Sequence, residues 1–82
     1  MYFTYVLYSV SINSYYVGYT SDLEKRLSKH NTNHLGFTGR AKDWNIVYVE
    51  EFANKESAIA RERKIKGWKS RKMIEKLISS AV

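Results

Sequence analysis

The stretch YYVGYTSDLEKRLSKHN, Tyr15–Asn31, changes its hydrophobic period halfway along. Residues 15 to 19 are aromatic and β-branched around one glycine, the composition of a short strand. Beyond Ser21, Leu23 and Leu27 stand four apart among charged residues, the spacing of a helix face that packs on a core. Ser21 followed three residues later by Glu24 has the form of a capping box and predicts that the helix begins there. Upstream, FTYVLYSV at 3 to 10 reads as a strand and the turn-prone SINS at 11 to 14 joins it to YYVGY as a hairpin.

Downstream, the polar residues 31 to 43 hold two glycines and no period, and read as a loop. WNIVYVEEF at 44 to 52 reads as a third strand. Asn54 is placed to cap a second helix running through about Lys66, with Gly67 to end it. Ser70 is placed to cap a third helix carrying Met73, Ile74, Leu77 and Ile78. The order β-β-α-β-α-α predicts an α+β fold, with a small three-stranded, largely antiparallel sheet flanked by helices and residues 1–82 forming a single domain.

A chain of 82 residues buries only about 60% of its unfolded surface, so the core is small. The absence of cysteine and proline excludes a disulfide scaffold and a thiolate zinc site. The N-terminus MYFTYVLYSV lacks a signal peptide's charged n-region, and no apolar run approaches the roughly 20 residues that span a bilayer. The expectation is a soluble cytoplasmic protein. The net charge of +6 favours a polyanionic partner, and seven of the fourteen basic side chains fall within residues 61 to 72. A charge run of this kind is otherwise a solvated helix face.

Within that run one carboxylate stands out. At about 100° per residue, Glu62 falls among Ala58, Ile59 and Ile65 on the apolar arc, while Arg61, Arg63 and Lys64 point elsewhere. A carboxylate aimed at a core must be paired, protonated or coordinated. Lys66, four residues on, offers an ordinary ion pair, and a ligand role is the alternative. On the first helix, Arg26 and His30 flank the arc of Leu23 and Leu27, which is consistent either with structural packing or with a site.

FTY at 3 to 5, YVG at 16 to 18 and the following DLEKRLSKH together resemble the GIY-YIG nuclease family, and the likeness spans nearly the whole chain. It is similar in particular to the small stand-alone bacterial proteins of that family. The resemblance places Tyr5 at the tyrosine of the first tripeptide, Tyr16 and Gly18 at the tyrosine and glycine of the second, and Arg26, His30 and Glu62 at the family's helix arginine, histidine and metal-binding glutamate. It implies hydrolysis of DNA phosphodiesters with one Mg²⁺ or Mn²⁺ on Glu62, charge stabilisation by Arg26, and water positioning or base chemistry by Tyr5 with His30. The expected substrate preference is for single-stranded, nicked or branched DNA, in repair or processing. A hard cation needs few protein oxygens beside phosphate and water, which suits a single carboxylate. Arg40, Lys42, Lys66 and Lys69 are the candidate backbone contacts. The sequence departs from the family in having no asparagine after Asn54 and in placing Tyr19 where several relatives have lysine. A catalytically weak or inactive binding module of the same fold, and a domain that docks on an acidic protein, are the alternatives.

Overall fold

The computed structural model describes residues 1–32 and 40–80. Strand β1 (Tyr2–Ser9) lies at the centre of a three-stranded sheet, with β2 (Ser14–Thr20) on one side and β3 (Trp44–Phe52) on the other, both antiparallel to it. Helix α1 (Leu23–Thr32) connects β2 to β3, and α2 (Lys55–Gly67) and α3 (Arg71–Ser80) follow. The predicted element order and α+β class are those observed. No helix among the described residues is long and apolar enough to cross a membrane.

Side chains alternate across β1, so the sheet carries a core on each face. Tyr5 and Leu7 pack with Ala41 and Trp44 under Leu23 and Leu27 of α1. Val6 packs with Val17 and Ile65 under Trp68, Ile74, Leu77 and Ile78 of the α2 and α3 region. Thr4 ties β1 to α2 by donating its hydroxyl to the Ala58 carbonyl at 2.7 Å. In β3, Ile46 is opposite Leu7 whereas Tyr48 is opposite Val6, so Val47 is an extra residue in the ladder. That bulge sends Ile46 and Tyr48 into different cores and lets Glu50 reach Arg61 on α2 at 2.9 Å.

Four local expectations are corrected. β1 ends at Ser9 and not Val10, because Asp43 accepts from Ser9 Oγ at 2.6 Å and from Ser11 N and Oγ at 2.9 Å, drawing the chain into a turn. These donors hold the Asp43 carboxyl at about 2, well below its usual range, the Ser9 hydroxyl contributing most. The cap of α1 is Asp22, whose Oδ1 accepts from Lys25 N at 3.0 Å, and Ser21 lies outside the helix. A carboxylate caps as well as a hydroxyl and adds charge at the positive end of the helix. Gly67 remains helical, and the chain reverses at Lys69, which adopts a φ of 49°. Met73 turns to solvent while Ile74, Leu77 and Ile78 cover the core.

Asn54 caps α2 as expected, accepting from Ser57 N at 2.9 Å, and Ser70 accepts from Met73 N at 3.3 Å in the first turn of α3. Of the predicted loop, Asn31 and Thr32 complete α1 and residues 33–39 lie outside the described residues. Asn31 joins the end of α1 to the start of β3 by donating Nδ2 to the Trp44 carbonyl at 3.1 Å and accepting from Trp44 N at 2.8 Å.

Candidate active site

Tyr5 sits mid-strand in β1, opposite Gly18 in β2, with 2% of its surface exposed. Its ring lies across that glycine. A Cβ added at Gly18 would stand 2.6 Å from the Tyr5 hydroxyl, 2.8 Å from its Cζ and 3.1 Å from Cε2 of Tyr16. The missing side chain at position 18 is therefore the space that the Tyr5 phenol occupies on its way toward the free edge of β2.

The phenol ends 2.9 Å from Nε2 of His30, which is itself 7% exposed. Burial pushes the Tyr5 phenol far above its ordinary value, with Tyr16 and Glu62 adding to the rise and Arg26 opposing it. Burial pushes the His30 imidazole below its ordinary 6.5, assisted by the charges of Arg26 and Lys29. Near neutral pH both groups are uncharged, and in the tautomer that carries its proton on Nδ1 the phenol donates to Nε2.

Since the unfolded chain binds a proton on this histidine near pH 6.5 and the buried ring binds it only at lower pH, stability is expected to fall as pH drops below about 6.5. In His30→Gln that loss is removed. Thermal unfolding of both proteins between pH 7.5 and 5 measures the difference. Parallel pH dependence would show that His30 is not held neutral.

Tyr16, one step along β2 from Val17, extends the same cluster. Its ring centroid is 4.8 Å from that of His30 and 6.5 Å from that of Trp44. Lys66 belongs to α2, which packs on the other face of the sheet, and reaches past the β2 edge to place Nζ 5.6 Å from the Tyr16 ring centroid. The same Nζ donates to Glu62 Oε2 at 3.2 Å. Glu62, with 15% of its side chain exposed against 49% for Lys66, is the less solvated partner, as its place on the apolar arc anticipates.

Tyr5, Tyr16, Arg26, His30 and Glu62 thus share one neighbourhood, to which Glu62 is joined through Lys66. Glu62 pairs with Lys66, as the ion-pair reading expects, and its charge also acts on the Tyr5 phenol. Among the described residues no three His, Cys, Asp or Glu side chains cluster as a metal-binding set. A hard divalent cation that keeps most of its water and takes phosphate oxygens requires one or two carboxylates, and Glu62 fits that role, its partner lysine being half exposed.

Of the candidate nucleic-acid contacts, Lys66 and Lys69 line a groove at the β2 edge. Arg40 and Lys42 lie on the segment entering β3 and line neither that groove nor the recess at the start of α1. Sequence reasoning missed Lys25 and Lys29, which together with Arg26 line a recess of about 220 Å³ at the start of α1. Their spacing of four on one helix was the available signal.

A family profile described as the GIY-YIG catalytic domain matches residues 1–76. A UPF0213 protein of Staphylococcus saprophyticus is 40% identical over 67 residues, covering 80% of either chain. A UPF0213 protein of Streptococcus pneumoniae is 39% identical over 54 residues, covering 65% of this chain and 54% of that one. The match therefore spans four fifths of the staphylococcal relative but about half of the pneumococcal one. The solution NMR structure of a UPF0213 protein from Bacillus halodurans shares the fold with a TM-score of 0.60 at 31% identity, covering 96% of this chain and 84% of that one. With the profile match running from the first strand into the third helix, and with relatives this similar, the chain belongs to the GIY-YIG nuclease family, alongside its small UPF0213 members.

Proposed function

We propose that this protein is a divalent-metal-dependent endonuclease that hydrolyses DNA phosphodiester bonds, selecting strand structure over base sequence, in cytoplasmic DNA repair or processing. The observation that carries this reading is the Tyr5–His30 hydrogen bond laid across Gly18, with Arg26 and Glu62 acting on the same phenol. Glu62 would hold Mg²⁺ or Mn²⁺, which when bound supplies charge neutralisation at phosphate and at the leaving oxygen.

The chain's own residues account for the rest. A phenol raised this far is not ionised at rest, so Tyr5 acts by relay: its oxygen takes the proton of the attacking water while its own proton passes to Nε2 of His30. Arg26 offers a planar fork of donors to charge growing on the phosphate. Lys25 and Lys29, on the same recess as Arg26, hold the backbone by charge and carry no base information.

A binding module that does not cleave is the second reading, favoured by the Lys66 ammonium lying on the carboxylate that would take the metal. Incubation of the purified protein with plasmid and branched DNA decides between them. Nicking that appears with Mg²⁺ or Mn²⁺ and stops with chelator is the expected result. Salt-sensitive binding without nicking under either metal would establish the second reading instead.

A further inference from the structure

The β2 edge and the α2–α3 junction enclose a groove of about 450 Å³ that the phenol–imidazole chemistry does not use. It falls within the roughly 300–1,000 Å³ of small-molecule sites. Val17, Ile65 and Ile74 give it an apolar floor, with Tyr15 on the same face of β2 and Tyr16, from the other face, meeting it at the strand edge. Its rim carries three cations: Lys66, paired with Glu62, lies over the Tyr16 ring; Arg71, paired with Glu75 at 3.2 Å and bonded to Asn13, lies over the Tyr15 ring at 5.0 Å; and Lys69, which has no such partner among the described residues, stands between them in sequence. No acidic side chain lines it.

Lys69 is the informative member. Its φ of 49° lies in the left-handed region, which glycine adopts freely and a residue with a Cβ does not. The chain has a glycine two residues earlier, at the last position of α2, yet the left-handed conformation falls on the lysine. The Lys69 ammonium meets no acidic partner among the described residues. A strained backbone that presents an unpaired cation at a groove points to a ligand with a negative charge.

We propose that this groove is a nucleotide subsite, taking one unstacked nucleotide of a DNA strand with its base on the apolar floor and its phosphate on Lys69 and Arg71. Placing that nucleotide next to the scissile phosphate rests on the nuclease reading, and the shared wall of Tyr16 and Lys66 connects the two sites. Removing a base from a duplex costs stacking and pairing energy, so a subsite of this kind favours strands already unpaired.

The test uses the Glu62→Gln variant with chelator present, so that binding is read without cleavage. Titration with a five-residue single-stranded thymidylate, followed by amide shifts, is expected to move Val17, Ile65, Lys69 and Ile74. An abasic site within the oligonucleotide is expected to weaken binding about tenfold, and inorganic phosphate alone to bind far more weakly than thymidine monophosphate. Lys69→Gly is expected to weaken binding several-fold and flatten the salt dependence by about 0.7 in log–log slope, while raising the melting temperature by relieving φ. Lys69→Arg restores the binding.

Oligonucleotide binding with no shift at Val17 and Ile74, or with affinity indifferent to both the abasic site and Lys69→Gly, would overturn the subsite. Cleavage by the wild type alongside a silent groove removes the subsite and keeps the nuclease. Groove binding without wild-type cleavage does the reverse.

Discussion

Glu62→Gln is expected to lower metal-dependent DNA cleavage by about 10²–10³-fold, the scale on which active sites lose rate when a group stabilising the transition-state charge is removed. The substitution keeps the shape of the side chain and its place beside Ala58 and Ile65 on α2 but removes the charge that would hold a cation. Lys66→Met is the informative companion. It breaks the same 3.2 Å ion pair from the other end, so if the carboxylate serves only Lys66, the two variants have equal effects. The expected outcome is unequal: Lys66→Met weakens DNA binding and keeps most of the rate at saturating DNA, while Glu62→Gln loses the rate itself. Stability does not confuse the comparison, because a partly exposed i,i+4 pair contributes only about 0.3–0.5 kcal/mol and both variants should melt close to the wild type. Single-turnover cleavage and thermal unfolding of the two proteins provide the measurement, and matching rate losses would assign Glu62 to the ion pair.

What the sequence made legible was local. Residues 44 to 52 are rich in β-branched and aromatic side chains, and the observed β3 has those boundaries; Asn54 and Ser70 are side-chain acceptors at helix starts, and both serve as such. Helical periodicity placed Glu62 off the solvated face of α2 because direction around a helix depends only on spacing. Features that depend on another strand were not legible. The bulge at Val47 exists only as a mismatch between β3 and β1, and no pattern within β3 announces it. Ser21 and Asp22 are equally competent caps, and only the backbone path after Thr20, whose Oγ1 accepts from Asp22 N at 3.1 Å, selects the second. Gly67 is the last residue of α2, as expected, but the left-handed conformation that glycine usually supplies past a helix end falls on Lys69, two residues on.

The sequence names candidate members of the site but not what joins them. A resemblance assigns Tyr5, Tyr16, Arg26, His30 and Glu62 one by one. The fold supplies what joins them: α1 lies on the Tyr5 face and brings His30 to the phenol, while α2 lies on the opposite face and reaches the cluster only around the edge of β2. A site straddling a sheet edge is open to a strand of nucleic acid from the side, without a deep pocket. This also explains why its cations come from two separate helices, Lys25 and Lys29 on α1 and Lys66 on α2.

Gly18→Ala tests that geometry at its tightest point. Its φ lies outside the left-handed region, so alanine can adopt the backbone and the cost is steric alone. A methyl group would meet the Tyr5 hydroxyl at 2.6 Å and Cζ at 2.8 Å, and the ring has nowhere to retreat, being almost fully buried and hydrogen-bonded to His30. Overpacking of this kind costs about 1–3 kcal/mol, and displacing the phenol by about an ångström is expected to lower cleavage about 100-fold. Tyr5→Phe does not relieve the clash, since Cζ remains, whereas Tyr5→Leu removes both offending atoms. In the Tyr5→Leu background the methyl group is therefore expected to cost much less stability than in the wild type, a non-additivity that a double-mutant cycle on thermal unfolding detects. If Gly18→Ala folds and cleaves like the wild type, Tyr5 does not lie across the glycine in the working protein, and the relay from Tyr5 to His30 loses its structural basis.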